Sequence, residues 1–384
     1  MRKIKSSTLI LKVNLKKYSR RQPIGFQSEM EENNLNQLFT NQLLQWYSQE
    51  KRELPWRNTK DPYKIWLSEI ILQQTRIQQG MPYYLKFVDT YPTVFDLAKA
   101  REEELLRLWQ GLGYYSRARN LHACAKQVVD EFDGQFPKGY DELLKLKGIG
   151  KYTAAAIASF AYDTPTAVVD GNVFRVLSRV FGISDDISDQ KSFKTFQNKA
   201  NALIPVDDAA NFNQAIMDFG AIQCKPKSPH CALCPVSASC FAFNKGMIDQ
   251  LPVKTKKVKV RKRFFHYLVF SFAGQFLLKA RGPKDIWQGL NDFALIEEKE
   301  TKSTEEILNQ LNNYSLEVTS ITEQVKHVLT HQQIFAQFYE LKVRDFDTFE
   351  LLKSDFGCKA FSIGQIKALP KPILIENYLR EAVF

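Results

Sequence analysis

The sequence predicts a mainly α N-terminal domain followed by a smaller α+β domain. Apolar residues recur at helical spacing from Glu31 to Phe243, and runs of aromatic and β-branched residues begin only after residue 263. A chain of 384 residues, 44% of them hydrophobic, is long enough to form two packed cores. We therefore expect two domains, over 29–250 and 264–384.

Two short segments carry the excess positive charge. Residues 1–28 contain eight Lys or Arg and residues 254–263 contain seven, both without an acid, whereas the net charge of the whole chain is +11. The rest of the chain is therefore net negative, so any nucleic-acid binding must come from local phosphate contacts. We predict a basic, disordered extension over 1–28 and a basic linker over 251–263; the alternative is a tail and a linker that are simply solvated.

Helical spacing is clearest in two segments of the first domain, which short Gly- and Pro-containing stretches separate from their neighbours. One segment has Leu35, Leu38, Phe39, Gln42 and Trp46 at helical spacing, and the other has Ala118, Leu121, Ala125 and Val128. This pattern predicts an all-α domain.

The second domain mixes strands and helices. Phe264–Phe272 and Phe276–Arg281, joined by Ala-Gly-Gln, predict a β-hairpin, and Ile334–Val343 predicts a further strand. Ser303–Asn312, which opens with a Ser-Thr-Glu-Glu sequence, and a segment near Ile375–Ala382 predict helices.

No stretch of the sequence reaches the roughly 18 apolar residues that a membrane span requires. The longest early apolar piece, residues 8–13, is interrupted by Lys12, and no secretory signal is evident. We expect a cytoplasmic protein without a membrane partner.

Four of the six cysteines fall within 17 residues, at Cys224, Cys231, Cys234 and Cys240. Their intervening gaps of six, two and five residues let one loop (224–240) surround a single centre, which favours a metal site over a disulfide framework. Tetrahedral zinc and a cubic 4Fe-4S cluster fit the spacing equally well. Four protein ligands leave no open position, which favours a structural role.

Residues 146–153, Leu-Lys-Gly-Ile-Gly-Lys-Tyr-Thr, predict a tight turn between two helices within 141–161. Gly148 and Gly150 permit close backbone approach, so amides at the start of the second helix are able to hold a DNA phosphate. The alternative for such a Gly-x-Gly turn is helix capping alone.

Two carboxylates lie in contexts that suit acid–base chemistry. Asp170 ends a short apolar run where a helix starts, and a helix N-terminus keeps such an anion ionised beside developing positive charge. Glu69 lies among apolar neighbours in a helix predicted over 61–76, and partial desolvation there raises the pKa of a general acid. The alternatives are a plain N-cap for Asp170 and a surface position for Glu69.

These features, in this order, resemble the adenine DNA glycosylase (MutY) family of the helix-hairpin-helix glycosylase superfamily, closely over 31–243 and more loosely over 264–384. The resemblance rests on six pieces together: Leu-Pro-Trp-Arg (54–57), Ser-Glu-Ile-Ile-Leu-Gln-Gln-Thr (68–75), Gly-Leu-Gly-Tyr-Tyr-Ser-Arg-Ala-Arg-Asn-Leu (111–121), the hairpin, Val-Asp-Gly-Asn-Val (169–173) and the cysteine loop.

The resemblance implies hydrolytic removal of adenine that is mispaired with 8-oxoguanine or guanine in double-stranded DNA, which leaves an abasic site. It implies a 4Fe-4S cluster on the four cysteines, a monomer, and association with the nucleoid if the source is bacterial. Glu69 would protonate the base and Asp170 would stabilise the oxocarbenium-like sugar or bond to it, while Tyr152 and Asn172 would line the sugar.

Tyr152 distinguishes this chain from the related endonuclease III family. That family has a lysine at this position, which forms a Schiff base and leads to strand cleavage, whereas Lys151 here lies one residue early. The resemblance therefore implies a monofunctional glycosylase. The alternatives are a bifunctional lyase of the endonuclease III type and a non-catalytic iron-sulfur protein that binds DNA.

The same resemblance assigns the DNA-contacting residues. A flipped adenine requires unstacking; Gln74, Leu112 and Tyr114 would fill or split the stack. Trp56, Arg57 and Leu72 would border the adenine pocket.

The second domain resembles the MutT-like (Nudix-related) module of the family through residues 287–293 and 327–331. Glu305 and Glu306 are present without the Arg-Glu-x-x-Glu-Glu arrangement of a working hydrolase, so lesion recognition is expected instead of nucleotide hydrolysis. Thr330 stands where many members have Ser, and His331 follows it as in the family; both would contact the lesion.

Overall fold

The structure is a computed structural model that describes residues 29–256 and 260–381. The extension predicted over 1–28 lies outside the described residues, and so do residues 257–259 of the predicted linker. The chain divides into two compact units. One contains the described residues up to Arg52 together with Val169–Lys254, and the other contains Glu53–Val168 together with the described residues from Thr255 onward. The middle helices therefore share a unit with the C-terminal strands.

The described residues form these helices: α1 (Glu29–Glu50), α2 (Pro62–Leu72), α3 (Ile77–Thr90), α4 (Val94–Lys99), α5 (Glu102–Trp109), α6 (Ser116–Phe132), α7 (Tyr140–Leu143), α8 (Lys151–Tyr162), α9 (Gly171–Phe181), α10 (Ser192–Leu203), α11 (Ala209–Asp218), α12 (Phe241–Asn244), α13 (Thr304–Asn309), α14 (Phe346–Asp355), α15 (Ile363–Ala368) and α16 (Ile373–Glu381). None of the helices found in these residues is both long and apolar enough to cross a bilayer.

The first unit packs α1 against α10 and α11. The rings of Phe39 and Phe181 meet edge to face with centroids 5.3 Å apart, and the Thr40 hydroxyl donates to the Leu203 carbonyl at 2.9 Å. After α11 the chain forms a wider π-helical turn, Phe219–Gln223, that leads into the cysteine loop. The predicted all-α character of this part of the chain is confirmed.

In the second unit, α2 is almost completely buried. It begins at the N-cap Asp61, whose side chain accepts from the Tyr63 amide, with Pro62 at the first helical position. It ends at Leu72, because Gln74 adopts a left-handed backbone with φ of 54°. The helix predicted through residue 76 was therefore wrong in its last four residues, which form a turn.

The Gly-rich turn lies between α7 and α8, although α7 has only four residues. Gly148 has a φ of +76°, and a Cβ built on it would lie 2.7 Å from the Cβ of Asn120. Gly150 is the N-cap of α8 with extended backbone and open space around it. Gly148 is thus required by backbone conformation and by packing, whereas Gly150 is not.

A seven-stranded mixed sheet forms the C-terminal part of this unit: β1 (Arg261–Phe272), β2 (Gln275–Ala280), β3 (Asn291–Glu298), β4 (Leu316–Ile321), β5 (Val325–Val328), β6 (Gln332–Val343) and β7 (Lys359–Ser362). The strand order is β4-β6-β1-β3-β2-β7, and β5 pairs with β6. The predicted hairpin is confirmed as β1 and β2, and the strand predicted over 334–343 is confirmed as β6. β1 begins three residues inside the predicted linker, because its parallel pairing with β6 starts at Arg261 and Gln332.

The two helices predicted for this domain are present as α13 and α16. Ser303 caps α13 in a reciprocal capping box with Glu306. One apolar core contains residues of the middle helices, such as Trp66 and Trp109, together with strand residues such as Phe265 and Phe338. A second core, on α13 and α14, covers other side chains of β1 and β6.

We expect Gly148→Ala to lower the melting temperature by about 5 °C, because alanine is strained at this positive φ and its methyl group would collide with Asn120. Gly150→Ala, the matched control, should shift it by less than about 2 °C. Thermal unfolding followed by circular dichroism checks both variants. Equal shifts would contradict the assignment of strain to Gly148.

Candidate active site

Glu69 is buried on α2, with 8% of its surface exposed. Its Oε2 accepts a hydrogen bond from the Tyr152 hydroxyl at 2.7 Å. Tyr152 is the second residue of α8, which packs against α2. The alternative of a surface position for Glu69 is therefore wrong.

Lys151 and Tyr152 are the first two residues of α8, and their side chains point in different directions. Lys151 is the first residue of the helix and is exposed, whereas the Tyr152 hydroxyl is the group that reaches Glu69. Successive residues of a helix point about 100° apart, so one residue decides which side chain faces the carboxyl.

Asp170 is the N-cap of α9. Its Oδ1 accepts from the backbone amides of Asn172 and Val173, both at 2.8 Å, and its Oδ2 accepts from the Asn172 side chain at 2.9 Å. Asp170 therefore does cap the helix, as the simpler alternative predicted. A group held by three donors has one fixed orientation, which suits a carboxylate that must meet a reacting atom.

Burial raises the pKa of Asp170 above its ordinary value. The hydrogen bonds from Val173 and Asn172 and the charge of Arg175 lower the pKa, but they do not cancel the effect of burial. The position at a helix N-terminus therefore does not outweigh the effect of burial on the pKa of this carboxyl.

Arg175 joins the Asp170 cap to the cysteine loop. Its Nη2 donates to the Asn172 side-chain oxygen at 2.7 Å and to the Gly220 carbonyl at 2.6 Å, while its Nε donates to the Cys224 carbonyl at 2.7 Å. Arg175 is 9% exposed, so these acceptors replace its hydration. A chain of hydrogen bonds thus runs from the Asp170 carboxyl to the first cysteine.

Arg179, one turn further along α9, holds the same loop. Its Nη1 donates to the Lys225 carbonyl at 2.7 Å and lies 3.5 Å from Cys224 Sγ. Its Nε donates to the carbonyls of Ile248 and Leu251. Neither arginine was predicted from the sequence, although a signal existed: they occupy i and i+4 of a helix whose other residues are mostly apolar.

All four predicted cysteine ligands line one pocket in the first unit. Four cysteine side chains around one pocket are a donor set that fits a thiolate-bound centre. No three His, Cys, Asp or Glu side chains within 29–256 and 260–381 converge closely enough to hold one metal ion.

Close packing of Gly220 sets the distance between the π-helical turn and α9. A Cβ at this position would lie 2.6 Å from the Asn172 Cβ and 3.0 Å from its carbonyl oxygen. Only glycine permits this approach, which brings the Gly220 carbonyl within reach of Arg175.

Two loops of the second unit present the predicted stack-filling residues. Gln74 is exposed in the turn Gln73–Arg76, and Tyr114 is 40% exposed in the loop Gly111–Tyr115; both have left-handed backbones, with φ of 54° and 47°. Leu112, in contrast, is 6% exposed and belongs to the apolar core.

The residues predicted to border the adenine pocket lie at the ends of α2. Trp56 is buried in the short 3-10 helix Pro55–Arg57 and packs edge to face on Tyr84, with centroids 5.0 Å apart. Arg57 follows it and is partly exposed, and Leu72 is the last residue of α2. Trp56 therefore has a clear packing role.

Thr330 and His331 are exposed between β5 and β6. The Thr330 hydroxyl contacts the hydroxyl of Tyr114, so the structure brings two of the predicted DNA-contacting residues together. Nearby, Gln110 binds the C-terminal segment: its side chain accepts from the Lys371 amide and donates to Glu376, both at 3.1 Å. Sequence analysis gave no sign of these contacts, because the partners lie more than 200 residues apart.

Comparisons with known proteins agree with this architecture. The family model for HhH-GPD superfamily base excision DNA repair proteins matches residues 67–202, and a model for the NUDIX domain matches residues 266–381. The solved structure of a thermostable thymine-DNA glycosylase is 32% identical and covers 56% of this chain and 99% of its own, with a TM-score of 0.52.

Relatives named adenine DNA glycosylase are similar over much of the chain. The human protein (Homo sapiens) is 43% identical over 222 residues, which are 56% of this chain and 41% of the relative. The protein of Buchnera aphidicola subsp. Baizongia pistaciae is 35% identical over 302 residues, which are 78% of this chain and 84% of the relative. This chain therefore belongs to the adenine DNA glycosylase family, within the superfamily of helix-hairpin-helix base excision repair proteins.

Proposed function

We propose that this protein is a monofunctional DNA glycosylase that hydrolyses the N-glycosidic bond of adenine mispaired with 8-oxoguanine or guanine in duplex DNA. The carrying observation is the buried Glu69, whose carboxyl accepts a hydrogen bond from Tyr152 where a lyase would have lysine. A hydroxyl at this position forms no Schiff base, so the abasic product leaves with its strand intact.

Glu69 serves as the general acid in this proposal. A carboxyl that is shielded from water transfers a proton to a departing base more readily than a fully solvated one. Tyr152 fixes the orientation of the carboxyl through the 2.7 Å hydrogen bond.

Asp170 stabilises the positive charge that develops on the sugar as the base leaves. Three hydrogen bonds hold its two oxygens, and its function requires the ionised form. Asn172 lines the sugar and holds the carboxylate in place.

The four cysteines would hold a 4Fe-4S cluster with a structural role. Their placement around one pocket supports a shared centre, and the family membership supports a cluster over zinc. When bound, the cluster would cross-link the loop 224–240. Arg175 and Arg179 tie the backbone of this loop to α9 and so to the Asp170 cap.

The C-terminal domain would recognise the oxidised base through Thr330 and His331. Both are exposed beside Tyr114, which would enter the base stack together with Gln74. Gly148 and Gly150 would place the first amides of α8 against a phosphate.

Glu69→Gln should lower the rate of adenine release by about 100- to 10,000-fold, because the amide donates no proton to the leaving base. The assay incubates excess enzyme with a duplex that contains one adenine opposite 8-oxoguanine, and then resolves strand breaks with and without hot alkali. The wild type should give breaks only after alkali. Breaks without alkali would indicate a lyase, and no breaks at all a non-catalytic binder.

Asn172→Ala should move the acid limb of the excision rate to higher pH. Asp170 acts as the anion, so activity falls as the pH drops through its pKa, which burial already raises. The Asn172 side chain lowers that pKa, and its removal raises the pKa further. Rates measured from pH 4 to 8 check this, with exposed Asn211→Ala as the control; an unshifted limb in Asn172→Ala would contradict the assignment.

Thr330→Val should reduce the preference for adenine opposite 8-oxoguanine over adenine opposite guanine by about fivefold, the worth of one hydrogen bond. The two side chains have nearly the same shape, so the change isolates the hydroxyl. Single-turnover rates on both duplexes give the ratio. Thr319→Val, which removes a hydroxyl elsewhere on the same sheet, should leave the ratio unchanged; an unchanged ratio in Thr330→Val would exclude lesion recognition by this hydroxyl.

A further inference from the structure

The loops Gln73–Arg76 and Gly111–Tyr115, here called the first and second wedge loops, are strained in the same way. Gln74 and Tyr114 have φ values of 54° and 47°, a region that side chains other than glycine rarely adopt. Such residues persist only where their surroundings hold the backbone in place. Something must therefore fix both loops.

The guanidinium of Arg117 on α6 lies between the two wedge loops and donates to both. Its Nη1 donates to three carbonyls at the end of α2 and in the first loop: Ile70 (2.9 Å), Ile71 (3.0 Å) and Gln73 (2.6 Å). Its Nη2 donates to one group of the first loop and two of the second: the Thr75 hydroxyl (3.5 Å) and the carbonyls of Leu112 (3.3 Å) and Gly113 (3.2 Å). One side chain thus satisfies carbonyls that neither helix nor sheet satisfies.

Arg117 is also positioned to orient the exposed ring of Tyr114. Its guanidinium carbon lies 5.7 Å from the Tyr114 ring centroid and 5.1 Å from that of Trp109. The Trp109 indole N–H in turn donates to the Gly113 carbonyl at 3.0 Å. The Arg117 guanidinium and the Trp109 indole therefore both hold the backbone of the second wedge loop.

Backbone dipoles and rings surround this charge. Arg117 is 9% exposed, and burial lowers its pKa to about 10, so it stays protonated at neutral pH. Among the described residues, its guanidinium donates to carbonyls and a hydroxyl and lies near two aromatic rings, and it forms no ion pair with a carboxylate. A planar guanidinium reaches acceptors on two sides at once, whereas a lysine ammonium offers a single point of contact.

We propose that Arg117 is a positioning residue that holds the two wedge loops in one fixed register for opening the base stack. The inference rests on the proposed function, since the loops matter only if a base is flipped. Arg117 touches no reacting atom. Arg117 holds both wedge loops in their active geometry before DNA binds. The free energy of binding can then drive unstacking of the bases instead of ordering the loops.

A positioning role for Arg117 predicts different effects on two kinds of duplex. A duplex with adenine opposite 8-oxoguanine must be opened, whereas a duplex that already has a tetrahydrofuran abasic site opposite 8-oxoguanine has no base to flip. We expect Arg117→Met to slow adenine release and the rise in fluorescence of a 2-aminopurine next to the adenine by about 100-fold each. Affinity for the abasic duplex should stay within about threefold of the wild type.

Arg117→Lys should recover part of the lost rate, because the charge remains while most of the hydrogen bonds are lost; we expect a deficit of about tenfold. Arg101→Met, which removes an exposed arginine paired with Glu104, is the matched control and should behave as the wild type. All variants are compared by circular dichroism and melting temperature first.

Equal losses of adenine-release rate and of affinity for the abasic duplex would indicate a general structural role and would overturn the proposal. A wild-type rise in 2-aminopurine fluorescence with both Arg117 variants would overturn it as well. If neither Arg117 variant folds, the residue belongs to the folding core and the positioning role is likewise overturned. If the wild type itself releases no adenine, the proposed function is overturned. If the wild type releases adenine and the Arg117 variants release it equally fast, only the positioning role is overturned.

Discussion

Buried guanidinium groups that donate to backbone carbonyl oxygens hold the irregular segments of this protein. Arg117 binds the two wedge loops, Arg175 binds the π-helical turn and Cys224, and Arg179 binds the cysteine loop. Each lies on a regular helix and reaches loops that cannot satisfy their own carbonyls. The regular helices thereby hold these loops in fixed positions.

Local sequence patterns predicted several of the helices and strands and indicated the surroundings of two candidate site residues. Apolar neighbours on α2 indicated that Glu69 is shielded, and the apolar run before Asp170 indicated a helix start. The contact of Glu69 with Tyr152 was not predictable from spacing, since it joins two helices 83 residues apart. The upward pKa shift of Asp170 also escaped prediction, because it depends on burial and not on the N-cap.

The strands β3, β4, β5 and β7 were not predicted, and β4 and β5 share a reason. β4 is almost entirely exposed and β5 is short, so neither shows the alternation of apolar and polar residues that marks a half-buried strand. The partner that organises the sheet is distant: β1 pairs in parallel with β6, from Arg261 with Gln332 to Ser271 with Lys342. Likewise, Arg117 could not be recognised as a central residue, because its acceptors are backbone atoms and carry no sequence signature.

The shared apolar core of the middle helices and the sheet has a consequence for shortened forms of the chain. Side chains such as Trp109 and Leu106 are buried in a cluster that also contains Phe265, Leu290 and Phe338. A polypeptide that stopped near residue 254 would keep every proposed catalytic residue and cysteine ligand. It would, however, expose to water the apolar side chains of the middle helices that the sheet now covers. Such truncated products would be aggregation-prone targets for cellular proteases, so loss of the C-terminal third would affect abundance as well as recognition.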